Sequence, residues 1–377
     1  MYNNKMRKLK YILPFIILLI FMSYTFTISK TKPCEINLSY TLNFKGDSLK
    51  NKLIGLKWTL SYLGAKLPKG SFNKSISAIS NETFTINFDS IGFNKDALNS
   101  IKELINKLKK TEEYRYKNSI DLGEFVTLTI GVSENYYSIT GVKKTFTEFK
   151  KSYLFNDSLK FAVLNSTVAF HNRILYLSTG KATNKQAYFA LEGNGSVIDD
   201  SFVPEVFETF DIMENGQLRF AIFNSNGDLI SASNPKLGIA GKPGKCIWCH
   251  EISLSPLFKE TPDVLNYMTK NEFTTIIKQR MINLNDYRKR LDSDIDFTKN
   301  QEHTQMELLY ISYMEPSLER LSQEWNMPIN TLKKLLNNKL THKHEEFSFF
   351  GNLYHRNDNL KIAPYILNKI PLSVREK

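Results

Sequence analysis

The sequence predicts an α+β protein, a β-rich N-terminal domain followed by a mostly α-helical C-terminal domain. Three observations predict it. Between residues 120 and 230, short runs rich in β-branched and aromatic residues alternate with turn residues. Beyond 241, apolar residues recur at helical spacing instead. At 42% hydrophobic and 23% charged, the 377-residue chain has a globular composition and the length for two domains.

Residues 1–29 read as a signal peptide or N-terminal membrane anchor. Lys5, Arg7, Lys8 and Lys10 make a basic start, and residues 11–22 are an apolar run shorter than the ~20 residues of a spanning helix. No small-residue cleavage site follows, so both fates stay open, and membrane association through this segment with them. Either way the rest of the chain is expected to be exported, periplasmic or envelope-associated.

Residues 35–240 form the α+β domain, whose role is not legible. Residues 47–65 and 94–110 carry helical apolar stripes, the first ending at Gly64. Strands are expected at 125–130, 136–142, 160–164, 173–177 and 187–191. Residues 217–223 and 228–230, joined through Asn226-Gly227, predict a hairpin with a type I′ turn. His171 stands alone among strands. No G-x-S-x-G, P-loop or H-E-x-x-H occurs, so no catalytic constellation is present.

Residues 241–377 read as helical. A short helix is expected at 261–268, opened by Pro262, and longer ones at 271–291 and 301–313. Residues 317–325 and 330–340 form a pair joined by Asn326-Met-Pro328, a helix-turn-helix in outline that in an exported protein packs a core. The tail from 341 is mostly irregular. The formal net charge is +12, of which +8 remains beyond residue 29. A basic surface favours an acidic partner. No Arg-rich run with interleaved aromatics argues for nucleic acid.

The helical part opens on Gly241-Lys-Pro-Gly-Lys-Cys246-Ile-Trp-Cys249-His250-Glu251. Cys246, Cys249 and His250 stand as C-x-x-C-H, the attachment signature of c-type haem. Two thiols spaced by one turn reach the two vinyl groups, and the next residue reaches the iron. Over this turn the chain resembles the c-type cytochromes. The resemblance implies one haem c, thioether-bound at Cys246 and Cys249, with His250 as proximal ligand in a cytochrome c-like C-terminal domain. It also implies a methionine some 60 residues downstream as distal ligand. Met314 fits, 64 residues after His250 and just before Glu315-Pro316. Met327, a histidine (His303, His342, His344 or His355) or an open position are the alternatives. The cysteine pair can also form a disulfide or redox dithiol, or hold zinc with His342 and His344. Cys34 is left over. A cysteine just past an apolar leader suggests lipid attachment, although residues 30–33 lack the small and aliphatic residues of such a site.

The expected function is that of an exported monohaem electron carrier, rather than an enzyme, serving a redox protein partner. The alternatives are a haem oxidoreductase, peroxidase or sensor with an open axial site, and a zinc-binding envelope protein.

Overall fold

In the computed structural model, which describes residues 32–164, 172–199, 201–233, 243–254, 258 and 262–367, apolar–polar alternation builds the first sheet. Glu35–Ser39 (β1) and Thr83–Asn87 (β3) pair antiparallel and turn Ile36, Leu38, Phe84 and Ile86 inward. Ile76–Ala78 (β2) and Ile120–Asp121 (β4) complete the order β2-β3-β1-β4. The expected signal or anchor, His171 and Gly241-Lys242 lie outside the described residues. Among the described residues no helix is long and apolar enough to cross a membrane. Cys34 immediately precedes β1 with its side chain buried, and burial pushes the thiol up to about 11.

The two expected helices form as Leu49–Tyr62 (α1) and Lys95–Leu108 (α3), capped by the Ser48 and Asn94 side chains. Gly64, at φ 95°, lets the chain leave α1 in the left-handed region. Ser71–Ser75 (α2) and Glu112–Lys117 (α4) are short.

The strands expected at 125–130 and 136–142 are helical. Leu122–Val126 (α5) runs into a π-helical turn, Thr127–Gly131, followed by Ser133–Thr140 (α6) and, further on, Phe146–Ser152 (α7). The Asp121 carboxylate accepts from Gly123 N and Glu124 N and starts the turn. Every residue from 122 to 131 is buried, so no exposed face exists for a strand to alternate with. β-propensity describes a fit to a half-buried pleated surface, and burial on all sides overrides it.

What α5 and the π-helical turn pack on is Thr304–Met314 (α10), in which Met306 through Met314 are all buried. Glycine permits the close approach. A Cβ on Gly55 would stand 2.7 Å from Gln305 O, and one on Gly123 would stand 2.9 Å from Leu309 O.

The second sheet is an antiparallel meander of Phe155–Val163 (β5), Arg173–Ser178 (β6), Ala187–Asn194 (β7), Val203–Ile212 (β8) and Leu218–Asn224 (β9). The sequence reading missed β8. The Asn226-Gly227 turn is present but is not type I′. Gly227 has φ 85° while Asn226 stays at negative φ, and Gly227 N donates to Asn224 O at 2.9 Å. This is the type I turn with a left-handed glycine that serves slightly longer hairpin loops.

In the C-terminal part, Pro243–His250 (α8) precedes Lys270–Lys289 (α9), which opens on a Thr269/Glu272 capping box. The helix expected at 261–268 does not form among its described residues, which make turns and bends. Leu318–Glu324 (α11) and Ile329–Leu335 (α12) are the expected pair, joined through Asn326 at φ 48°. Residues Cys34–Lys377 form one compact unit, so the change of character at 241 is a change of element type within it. The chain is α+β.

Buried charges tie this unit together. Arg320 Nη2 donates to Asp121 Oδ1 at 2.7 Å, and its Nη1 reaches Asn43 Oδ1 at 2.7 Å. Arg356 Nη1 and Nη2 hold the two Glu324 oxygens at 2.8 and 2.7 Å. Burial would raise the Glu324 carboxyl, but Arg356 and Arg320 bring it down to about 2.

Two outcomes are expected. Gly55→Ala forces a methyl against the α10 backbone and costs about 1–3 kcal/mol, measured as a lower urea midpoint at unchanged slope. Glu324→Gln leaves Arg356 buried without its carboxylate and costs about 3–5 kcal/mol. The Glu324 pKa is about 2 folded against 4.5 in its ordinary state, so its stabilisation is full above pH 4.5 and fades as pH falls toward 2. Urea midpoints between pH 6 and pH 3 therefore fall less steeply in the variant; an equal slope would mean that this carboxylate does not carry the acid sensitivity.

Candidate functional site

The helix α8 carries C-x-x-C-H at its C-terminal end. Residues i, i+3 and i+4 share one helix face, so Cys246, Cys249 and His250 look the same way. That face meets the meander sheet. The His250 ring lies 5.3 Å from Phe210 and 5.6 Å from Phe220, centroid to centroid. Trp248, about 200° around the helix from His250, instead meets Tyr310 of α10 at 5.8 Å.

Strand register prepares the surface opposite. Leu177, Tyr188, Phe210 and Phe220 are successive cross-strand partners and form one row across four strands. The next row on that face contains Leu175, Ala190 and Glu208. Tyr188 and Phe210 stack at 4.5 Å. Between this face, α8 and α9 opens a cleft of about 100 Å³, floored by the aromatic row and closed by Phe258, Phe273 and Ile277. Like most ligand pockets it is largely apolar with few polar groups, though smaller than the ~300–1,000 Å³ of a typical one. Here those groups include Arg173, Glu208, Thr209, Cys246 and His250.

The end of α8 is held firmly. Glu251 turns the chain at φ 51°, the Tyr62 hydroxyl donates to its carbonyl at 2.6 Å, and Arg288 Nη1 donates to Ile252 O at 2.7 Å. These bonds fix where His250 points.

The electrostatics favour neutral groups. Burial drives the His250 pKa down to about 4, against an opposing hydrogen bond with the Ser253 backbone, so the imidazole is uncharged at neutral pH. Among the described residues its buried Nδ1 has no hydrogen-bond partner. Burial also pushes the Cys246 thiol well up, and Glu208 and Cys249 push it further. Glu208 itself is raised by burial and only partly relieved by Arg173, which also pairs with Glu192. Cys249 is exposed, and no disulfide joins the two cysteines.

The structure therefore brings Cys246 and His250 into one cleft with Cys249 on the same helix face. It does not bring Met314 there. Met314 is buried in the main core at the end of α10 and does not line the cleft. His303 is buried beside Trp58, and His344 stacks on Phe347. His342 and His355 lie together, with Glu315 and without either cysteine. Sequence reasoning missed the sheet side of the cleft, Arg173, Glu208, Phe210 and Phe220. The period-2 run Val206, Glu208, Phe210 was the available signal, and it lies on the strand that was not recognised.

Two thiols and a neutral imidazole on one helical turn are the donor types that a c-type haem takes; Cys246 and His250 line the apolar cleft, and Cys249 is exposed. In haem-free protein, iodoacetamide is expected to label Cys249 quickly, and Cys246 and Cys34 only on unfolding, as read by peptide mass spectrometry. Fast labelling of Cys246 would mean that α8 does not rest on the sheet. Comparison with family models, curated proteins and solved structures finds no match to this chain.

Proposed function

We propose that this chain is an exported monohaem c-type protein that moves single electrons, with Cys246 and Cys249 as the thioether anchors and His250 as proximal ligand. The observation that supports this reading is that Cys246 and His250 line an aromatic-walled cleft, with the exposed Cys249 one turn along α8 from Cys246. When bound, the haem supplies one-electron exchange between Fe(II) and Fe(III). The protein's own part is threefold. Cys246 and Cys249 fix the group in place. His250 offers an uncharged nitrogen, oriented by the bonds that Tyr62 and Arg288 make to the residues just after it. The Phe210–Phe220 wall excludes water, which raises the sensitivity of the potential to nearby charge. Lys245, on α8 next to Cys246, suits an acidic redox partner. The basic, apolar N-terminal segment is the expected export signal or anchor.

One observation favours a second reading, a haem sensor or oxidoreductase with an exchangeable sixth position. Met314, the expected distal ligand, belongs to the core around α10 and not to the cleft. Coexpression with a haem-attachment machinery decides between the readings. The expected protein is red, keeps haem stain on a denaturing gel, and loses it in Cys246→Ala. A colourless product would overturn both readings. In coloured protein, carbon monoxide that shifts the reduced Soret band, with Met314→Ala spectrally unchanged, selects the exchangeable site. A spectrum unmoved by carbon monoxide selects the electron carrier.

A further inference from the structure

A cluster of two histidines and a glutamate lies away from the cleft, built from three segments that are distant in sequence. Glu315 ends α10. His342 and Leu353 exchange backbone hydrogen bonds, His342 N to Leu353 O at 3.0 Å and Leu353 N to His342 O at 2.9 Å. Tyr354 N donates to Pro316 O at 3.0 Å. These bonds set the residue after Glu315, the residue before His355, and His342 itself in fixed register. The side chains then converge. His342 Nε2 lies 2.9 Å from Glu315 Oε2, and the His342 and His355 rings stack at 4.3 Å and 16°. One ligand atom from each of the three lies within 4.8 Å of the others.

We propose that Glu315, His342 and His355 bind one divalent transition ion of the zinc class. Two imidazoles and one carboxylate are a common three-ligand set for zinc and for its first-row neighbours. Tetrahedral zinc at ~2.0–2.1 Å from each ligand sets the donor atoms about 3.3 Å apart, so the cluster must close by only an ångström or so. His355 is exposed and its side chain can supply that movement, while Glu315 and His342 already meet. The exposed side leaves a fourth position for water or an outside ligand. Bound there, the ion clips the irregular segment 342–355 to the end of α10. The site shares no residue with the cleft.

The test is a zinc titration of the full-length chain, stripped of metal with a chelator and measured by competition with a chromophoric chelator. Cobalt(II) serves as the spectroscopic probe of geometry. The expected result is one equivalent of zinc, a nitrogen/oxygen-type cobalt spectrum, and a rise in melting temperature on adding zinc. Glu315→Gln, His342→Ala and His355→Ala each weaken binding by more than the ~10–100-fold typical of an outer-shell partner. His355→Ala removes an exposed ring and is the variant whose circular dichroism is expected to match the parent. A Cys246→Ser/Cys249→Ser variant retains the zinc, which separates this site from a thiolate site and from any failure of haem attachment. Folded protein that takes up no zinc at micromolar concentrations, or zinc that survives His355→Ala and His342→Ala, would overturn the proposal. So would a thiolate-type cobalt spectrum lost in the cysteine variant.

Discussion

Two arginines buried almost completely, Arg320 and Arg356, set the terms on which this chain folds. A guanidinium without water needs a carboxylate and full hydrogen bonding, or its burial is prohibitive. Arg320 finds Asp121, Thr41 and Asn43; Arg356 finds Glu324 and the Tyr313 carbonyl, and lies 3.8 Å over the Tyr313 ring. The partners come from the first sheet, the turn before α5, the end of α10, and the C-terminal segments. None of these can be placed alone, so the N- and C-terminal halves form one unit. The same Asp121 caps α5, which makes one carboxylate answer both for a helix start and for a long-range ion pair.

That constraint places α10, and α10 places the rest. It is buried on all sides because α1 and α5 meet it at glycines, where the absent Cβ allows backbone contact. Trp248 of α8 rests on Tyr310 of α10, while the opposite face of α8 rests on the meander sheet. The C-x-x-C-H turn is thus held between a rigid helix and an aromatic sheet. A short helix of eight residues has little stability of its own, and these two contacts supply it. The far end of α10 carries Glu315, so one rigid helix leads at its side to the cleft and at its end to the histidine pair.

The sequence by itself determined the long elements. The stripes of α1, α3 and α9, their caps, and four strands of the meander follow from spacing and end residues that act within a few positions. It also placed Cys246, Cys249 and His250 side by side, because that motif is contained in one turn. Tertiary structure alone decided what depends on meeting a distant surface. Residues 125–140 carry β-type side chains, yet burial in the core, against α10 for residues 125–131, made them helical. Met314 stands at the expected separation along the chain yet lies in the core and does not line the cleft, since chain separation does not fix direction once a helix is locked in a core. The aromatic wall from Tyr188 to Phe220 and the meeting of Glu315, His342 and His355 are products of strand register and backbone pairing between remote segments. No local pattern encodes them, because each depends on which surfaces the buried charges and the close-packed α10 bring together.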